Sequence, residues 1–142
     1  MTTAHDLATQ IPVSFASCSI GIYANSPLLD KLDALSRAGF HAIELSWPDL
    51  VSFASSRLSR DVSQADFASL LSVCEQLKEE LKKRNIEIMM LQPFANFEGW
   101  PRGSKEREEA FERARGWISI MSALDIKMLQ VRFTDLGGIT LG

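Results

Sequence analysis

The chain has 142 residues, of which 46% are apolar and 23% are charged, and its formal net charge is -3. This length favours one domain, and the composition is that of an ordinary globular protein. The net negative charge argues against nucleic-acid binding, which needs a basic surface. No apolar run approaches the roughly 18 residues of a membrane span.

Cysteine usage and the amino end indicate a cellular compartment. Cys18 falls in an apolar strand candidate and Cys74 on the apolar side of a helix candidate, so we expect two buried, reduced thiols without a disulfide. Residues 1–12 lack the basic and apolar regions of a secretory signal, and we expect them to form a flexible leader. These features predict a cytoplasmic protein.

The first elements along the chain are a strand, a helix and a second strand. Residues 13–21 alternate apolar and small polar side chains, as a strand does. The first helix has Ser26 as its N-cap and Pro27 at its first position, and it ends at Gly39, which tolerates left-handed backbone. Residues 40–47 then predict the second strand.

The middle of the chain predicts a loop and a second helix. The loop runs through the serines and arginines up to Asp61, and the helix begins at Asp61 or Ser63. One side of this helix is apolar and the opposite side is charged, which is typical of a helix packed on a core. The apolar positions are Phe67, Leu70, Leu71, Cys74, Leu77 and Leu81.

A third strand, a third helix and a fourth strand complete the pattern. Residues 86–91 carry a single charge and predict a strand buried on both faces. The third helix has Ser104 as its N-cap. Its apolar stripe consists of Phe111, Ala114, Trp117, Ile118, Met121 and Leu124. Residues 125–131 predict the fourth strand, and residues 132–142 predict an irregular tail.

Four strands alternating with three helices predict an α/β domain over residues 13–131, with a parallel sheet and right-handed crossovers. A small flavodoxin-like open sheet and part of a barrel both fit this order. A nucleotide site is poorly supported, because the turn after the first strand contains the single glycine Gly21 and no glycine-rich phosphate loop.

Polar side chains lie toward the carboxyl ends of the second and third strands, where active sites occur in parallel α/β folds. Glu44 lies in an apolar run, and either faces a substrate as a catalytic carboxylate or pairs with a basic neighbour. Gln92 either binds a substrate hydroxyl or caps backbone groups of its strand. Asn96 and Glu98 either contact substrate or shape the loop. We place His41 at the far end of the sheet, away from this site.

Three segments together resemble the xylose isomerase-like TIM-barrel superfamily of sugar phosphate isomerases and epimerases. They are residues 15–21, residues 38–45 with Asp49-Leu50 behind them, and Leu91-Gln92-Pro93-Phe94 followed by Glu98-Gly99. The branch to which the chain is most similar is the fungal 3-dehydroshikimate dehydratase-like one. In that branch His-Tyr precedes the Glu-Gly pair, whereas this chain has Asn96-Phe97.

The resemblance implies a (β/α)8 barrel in which a divalent metal polarises a hydroxy-carbonyl substrate while an acid or base moves a proton. It also implies that the family's metal ligands come from later strands, so no residue here is assigned as a metal ligand. We therefore expect about half of a barrel, and we expect this chain to bind no metal tightly.

Three hypotheses about function follow. The first is the amino-terminal half of a metal-dependent isomerase, epimerase or dehydratase that acts on a small sugar-like molecule, with Glu44 and Gln92 on the substrate side. The second is a half-barrel that completes its sheet by pairing its open edge with another copy or with a complementary half. The third is a truncated product without catalysis of its own.

Overall fold

The computed structural model describes residues 13–21, 26–95 and 99–131, and in these ranges four strands form one parallel sheet. The strands are β1 (Ser14–Ala16), β2 (Ala42–Ser46), β3 (Glu87–Gln92) and β4 (Met128–Leu129). They lie side by side in chain order, and every neighbouring pair is parallel. Sequential order is that of a barrel segment and differs from the flavodoxin-like order, in which the first strand lies inside the sheet.

Five α-helices occur in the described residues, where the sequence predicted three. They are α1 (Leu28–Arg37), α2 (Trp47–Leu58), α3 (Phe67–Ser72), α4 (Cys74–Lys83) and α5 (Lys105–Ala123), and a 3-10 turn spans Ser17–Ser19. None of these helices is long and apolar enough to cross a membrane.

Helix α2 occupies the segment that was predicted as a loop. Ser46 is its N-cap and accepts a hydrogen bond from the Asp49 backbone N–H at 3.3 Å, and Pro48 lies in the first turn. Leu50 and Phe53 bury their side chains against the core. The serines that suggested a loop are accommodated, since Ser55 donates to the Val51 carbonyl oxygen one turn back at 2.9 Å.

The predicted second helix begins later than expected and is interrupted. Its N-cap is Asp66, whose carboxylate accepts from the Ser69 backbone N–H at 3.1 Å, so the predicted start at Asp61 or Ser63 is wrong. The hydrogen bonds to the Ser69 hydroxyl and backbone lower the pKa of Asp66. Val73 separates α3 from α4.

The N-cap Ser104 of α5 is confirmed, because its hydroxyl accepts a hydrogen bond from the Arg107 backbone N–H at 3.2 Å.

The first helix and the first strand differ from prediction in detail. Pro27 is the N-cap of α1 instead of its first residue, while Gly39, with a φ of +82°, ends this segment as predicted. Strand β1 is only three residues long, because Ser17 begins the 3-10 turn.

The hydrophobic core lies between the helices and one face of the sheet. Ile43, Leu45 and Leu91 are fully buried on this face and belong to the same cluster as residues from all five helices. The opposite face carries Ser14, Ala16, Ala42, Glu44, Met90 and Met128, all of them partly or largely exposed and none of them in that cluster. We call this second surface the open face.

Strand β3 is irregular at its centre. Ile43 pairs with Ile88, but the next residue of β2, Glu44, pairs with Met90, so Met89 is an extra residue in the ladder. Such a bulge changes which side chains face which side. It places Ile88 and Leu91, three residues apart, both with the core, and it leaves Met90 on the open face. The prediction that β3 is buried on both faces is therefore wrong.

The two cysteines have different environments, and one prediction fails. Cys74 is buried on α4, and this burial raises the pKa of its thiol to about 11, so it is protonated at neutral pH. Cys18 is exposed in the 3-10 turn, where a buried position in a strand was predicted. Both thiols are free, as expected.

The buried side of α5 agrees with the predicted stripe at Trp117 and Leu124, which are buried, and at Ala114 and Met121, which pack against the core, but not at Phe111 and Ile118. Phe111 and Ile118 are 39% and 60% exposed, whereas Ala110, Gly116, Trp117 and Ile120 are buried. At Gly116 the ring of Phe67 on α3 lies against the helix backbone. A Cβ atom added at Gly116 would lie 2.2 Å from the Phe67 Cε1 atom.

We expect Gly116→Ala to destabilise the protein by about 1–3 kcal/mol, because the new methyl group overlaps the packed Phe67 ring. Helix propensity alone would predict the opposite sign, with alanine favoured by about 1 kcal/mol. Urea denaturation followed by circular dichroism measures the difference. Ser119→Ala, at an exposed position of the same helix, is the matched control and should change the free energy of unfolding by less than about 0.5 kcal/mol.

Candidate active site

The structure brings together the two residues that the sequence singled out on strands β2 and β3. Gln92 Nε2 donates a hydrogen bond to Glu44 Oε2 at 2.5 Å. On the other side, the hydroxyl of Ser14 on β1 donates to Glu44 Oε1 at 3.1 Å. The carboxylate is thus held between its neighbours in the sheet, with one neutral donor on each oxygen.

The position of this pair follows from the strand register. Gln92 is the last residue of β3 and lies opposite Ser46, the last residue of β2. Two residues earlier, Glu44 lies opposite Met90, whose sulfur is 4.0 Å from Gln92 Nε2. Both polar side chains therefore lie toward the carboxyl end of the sheet, on the side of the open face, where parallel α/β folds place their sites.

The alternative in which Glu44 pairs with a basic neighbour does not describe this structure. Across residues 13–21, 26–95 and 99–131, no lysine, arginine or histidine forms an ion pair with Glu44. Its hydrogen-bond donors are a hydroxyl and an amide. Glu44 is therefore held by neutral donors and stays partly exposed on the open face.

The side chain of Gln92 has an unsatisfied hydrogen-bond acceptor. Its side chain is 4% exposed, and its Oε1 atom is buried without a hydrogen-bond partner. Its side-chain amide contacts Glu44 and Met90, so the alternative in which it caps the backbone of its own strand is not what is observed. A buried acceptor without a donor costs about 1–3 kcal/mol unless another molecule supplies one.

Two described residues that follow β3, Phe94 and Trp100, also have unusual features. Phe94 has a φ of +56°, which is unusual for an aromatic residue, and its side chain is 41% exposed. The indole Nε1 of Trp100 is buried without an acceptor. Asn96 and Glu98, the other two predicted contact residues, lie outside the described residues.

A buried charged cluster next to this site was missed by the sequence analysis. Lys31 Nζ on α1 donates to Asp49 Oδ1 at 2.7 Å and to the Ser17 carbonyl oxygen at 2.9 Å. The hydroxyls of Ser17 and Ser46 both donate to Asp49 Oδ2, at 2.6 and 2.7 Å. The available signal was the position of Lys31 on the otherwise apolar side of α1, between Leu28 and Leu35.

This cluster has a structural role that supports the site. Lys31 and Asp49 are 4% and 8% exposed, and Ser17 accepts the Ser46 backbone N–H at 2.9 Å. The carboxyl ends of β1 and β2 are therefore tied to each other and to α1 and α2. Because Asp49 is saturated by these donors, we do not place it among the groups that face a substrate.

The family to which the sequence is similar implies a divalent metal, and the described residues do not fit one. No group of three or more His, Cys, Asp and Glu side chains in this part of the chain is arranged to hold a metal ion. Glu44 is a single carboxylate whose two oxygens already accept hydrogen bonds from Ser14 and Gln92. A catalytic metal needs about three protein ligands.

The opposite end of the sheet carries different features. His41 precedes β2 and is exposed there, with its Nδ1 atom 3.3 Å from the Asn85 carbonyl oxygen, so its predicted place at the far end is confirmed. A surface groove of about 780 Å³ lies at the same end, between α4 and the start of β3. Lys78 bridges its wall by an ion pair of 2.9 Å to Asp125, which lowers the pKa of Asp125.

Comparison with known proteins identifies the family. The family model described as "xylose isomerase-like TIM barrel" matches residues 32–142. A 3-dehydroshikimate dehydratase of Neurospora crassa is 28% identical over 122 residues, which cover 84% of this chain and 34% of that protein. The solved structure of a xylose isomerase-like TIM barrel/4-hydroxyphenylpyruvate dioxygenase fusion protein is 25% identical, with a TM-score of 0.59.

The structural match covers 83% of this chain and 15% of the fusion protein, so the chain spans about a third or less of each relative. The family model nevertheless matches more than half of the chain. Together with the sequential parallel strands, this match shows that the chain belongs to the xylose isomerase-like TIM-barrel family.

Proposed function

We propose that this chain forms part of a lyase or isomerase active site for a small, sugar-like hydroxy-carbonyl compound, and that 3-dehydroshikimate is the first compound to test. The observation that carries the proposal is the Glu44–Gln92 pair on the open face, with the buried Gln92 Oε1 lacking a donor. A hydroxyl group supplies such a donor, and a carbonyl group presents the carbon next to which a proton is removed.

The complete site requires more than the described residues. A divalent metal would supply the polarisation of the carbonyl group, but the described residues lack the donor set for it. The open face, with Met128 46% exposed at its β4 end, is the side that the remaining strands of a barrel would enclose. In this proposal, the residues of the present chain bind and orient the substrate.

The proposal is tested by incubating the chain with 3-dehydroshikimate and divalent metal, and by following dehydration by absorbance and mass spectrometry. Binding of the same compound is measured in parallel by NMR, since binding does not require the complete set of catalytic groups. We expect Gln92→Leu to weaken binding about tenfold or more, because it removes the hydrogen-bonding amide. Gln76→Leu, on the exposed side of α4, is the matched control and should bind as the unchanged chain does.

Failure of the chain to bind either 3-dehydroshikimate or any of a panel of hydroxy-ketones and hydroxy-acids would contradict the proposal. Binding that is equally strong in Gln92→Leu would place the ligand elsewhere on the chain and would contradict the role of Gln92.

A second candidate function is a non-catalytic half-barrel that associates with another copy or with a complementary half. The partly exposed open face favours it, as does the edge strand β4, which is followed by the 38% exposed Val131. Light scattering across a dilution series distinguishes the candidates. A stable dimer that binds none of the test compounds would favour association, and a monomer that binds 3-dehydroshikimate would favour the first proposal.

A further inference from the structure

We propose that Gln92 Oε1 accepts a hydrogen bond from a hydroxyl group of the substrate, and that Glu44 is the positioning residue that keeps this oxygen turned toward it. This inference rests on the proposed function and deepens it. It specifies the polarity of one contact, and it gives Glu44 a role that does not require it to move a proton.

The orientation of the Gln92 amide is determined by its neighbour. An ionised carboxylate only accepts hydrogen bonds, and of the two ends of the amide only Nε2 donates. The 2.5 Å contact to Glu44 Oε2 therefore requires Nε2 to face Glu44 and Oε1 to face away. The reversed amide would bring two acceptors into contact, which is strongly unfavourable inside a protein.

Glu44 itself is held in place from its other side. Its Oε1 atom accepts the hydroxyl hydrogen of Ser14 at 3.1 Å, and Ser14 belongs to β1, which pairs with β2 along three residues. The Lys31–Asp49 cluster ties the ends of the same two strands together. Ser14 on β1 therefore fixes the position of the Glu44 carboxylate, and the carboxylate fixes the orientation of the Gln92 amide.

The remaining group, Oε1, is an acceptor only, so it selects a ligand that donates. A hydroxyl hydrogen satisfies it, whereas a carbonyl, carboxylate or phosphate oxygen would be repelled.

The test compares 3-dehydroshikimate with its two mono-O-methyl ethers, each of which has lost one hydroxyl donor. Dissociation constants are measured by NMR on the 142-residue chain, using the side-chain amide signal of Gln92, which is identified by its loss in Gln92→Leu. We expect one ether to bind at least about tenfold more weakly than the parent compound, because Oε1 is then left without a donor.

Glu44→Gln tests the positioning role. The new side chain can present either an oxygen or an amide nitrogen, so the Gln92 amide is free to turn, and we expect the discrimination against the ether to fall to about threefold or less. In the free chain, the Gln92 amide signals should change from one sharp pair to a broadened or doubled set. Glu79→Gln, on the exposed side of α4, should leave both readouts unchanged. Circular dichroism and the thermal midpoint confirm that each variant is folded.

Equal binding of the parent compound and both ethers would overturn the inference while leaving the proposed function standing. Discrimination that persists in Glu44→Gln would overturn the role of Glu44. If neither 3-dehydroshikimate nor the wider panel of hydroxy-carbonyl compounds binds, the proposed function fails and this inference fails with it.

Discussion

Asp49→Ala is expected to lower the free energy of unfolding by about 3–5 kcal/mol, because it leaves the ammonium group of Lys31 buried without its carboxylate. It also removes the acceptor for the Ser17 and Ser46 hydroxyls. Domains of this size are stable by about 5–15 kcal/mol, so the loss is a large part of the total. Urea denaturation monitored by circular dichroism and tryptophan fluorescence measures it.

Two further variants serve as controls for the contribution of the Lys31–Asp49 ion pair to stability. Asp61→Ala, at an exposed aspartate, should change stability by less than about 0.5 kcal/mol. Lys31→Met with Asp49→Leu replaces both charges by apolar groups, and it should cost less than the sum of the two single changes. A loss below about 1 kcal/mol in Asp49→Ala would show that the cluster is not a principal connection between the two strand ends.

Trp117→Ala is expected to destabilise the protein by about 3–5 kcal/mol, since it removes a large aromatic side chain that is 3% exposed. Its ring packs edge-on against Trp47, with ring centroids 6.5 Å apart, and this contact joins α5 to the start of α2. Trp47 in turn packs against Phe67 at 5.8 Å. The change therefore affects three helices at once.

The neighbouring residue provides the control. Ile118→Ala alters the next position of α5, where the side chain is 60% exposed, and should cost less than about 1 kcal/mol. A double-mutant cycle of Trp117→Ala with Trp47→Ala should show a coupling of about 0.5–1.5 kcal/mol from the aromatic pair. Equal losses for Trp117→Ala and Ile118→Ala would contradict the exposed position of Ile118 and would support its place in the stripe predicted from the sequence.

The sequence was sufficient to predict the sheet and part of the site. Alternating strand and helix patterns predict parallel pairing, and parallel strands bring their carboxyl ends to one edge, so Glu44 and Gln92 were expected to be close. Their hydrogen bond in the structure agrees with that expectation. The catalytic role of Glu44 and the substrate contacts of Gln92 stay predictions, and Asn96 and Glu98 lie outside the described residues.

Other features depend on tertiary contacts that periodicity does not reveal. The serines of α2 suggested a loop, but burial of Leu50 and Phe53 stabilises the helix, and Ser55 satisfies its hydroxyl within it. The pairing of Lys31 with Asp49 requires knowing that α1 and α2 meet at the ends of β1 and β2. The close packing of the Phe67 ring on Gly116 is likewise a tertiary contact that the sequence of α5 alone does not contain.

The extra residue in β3 has a consequence for how this strand tolerates changes in length. Because Met89 has no partner of its own in the ladder, deleting it would give a regular strand in which Met90, Leu91 and Gln92 keep their partners on β2. Deleting Gln92 itself would instead remove the donor to Glu44 Oε2. Relatives that are one residue shorter here can therefore retain the same pair, and an alignment of this strand should place its gap at Met89.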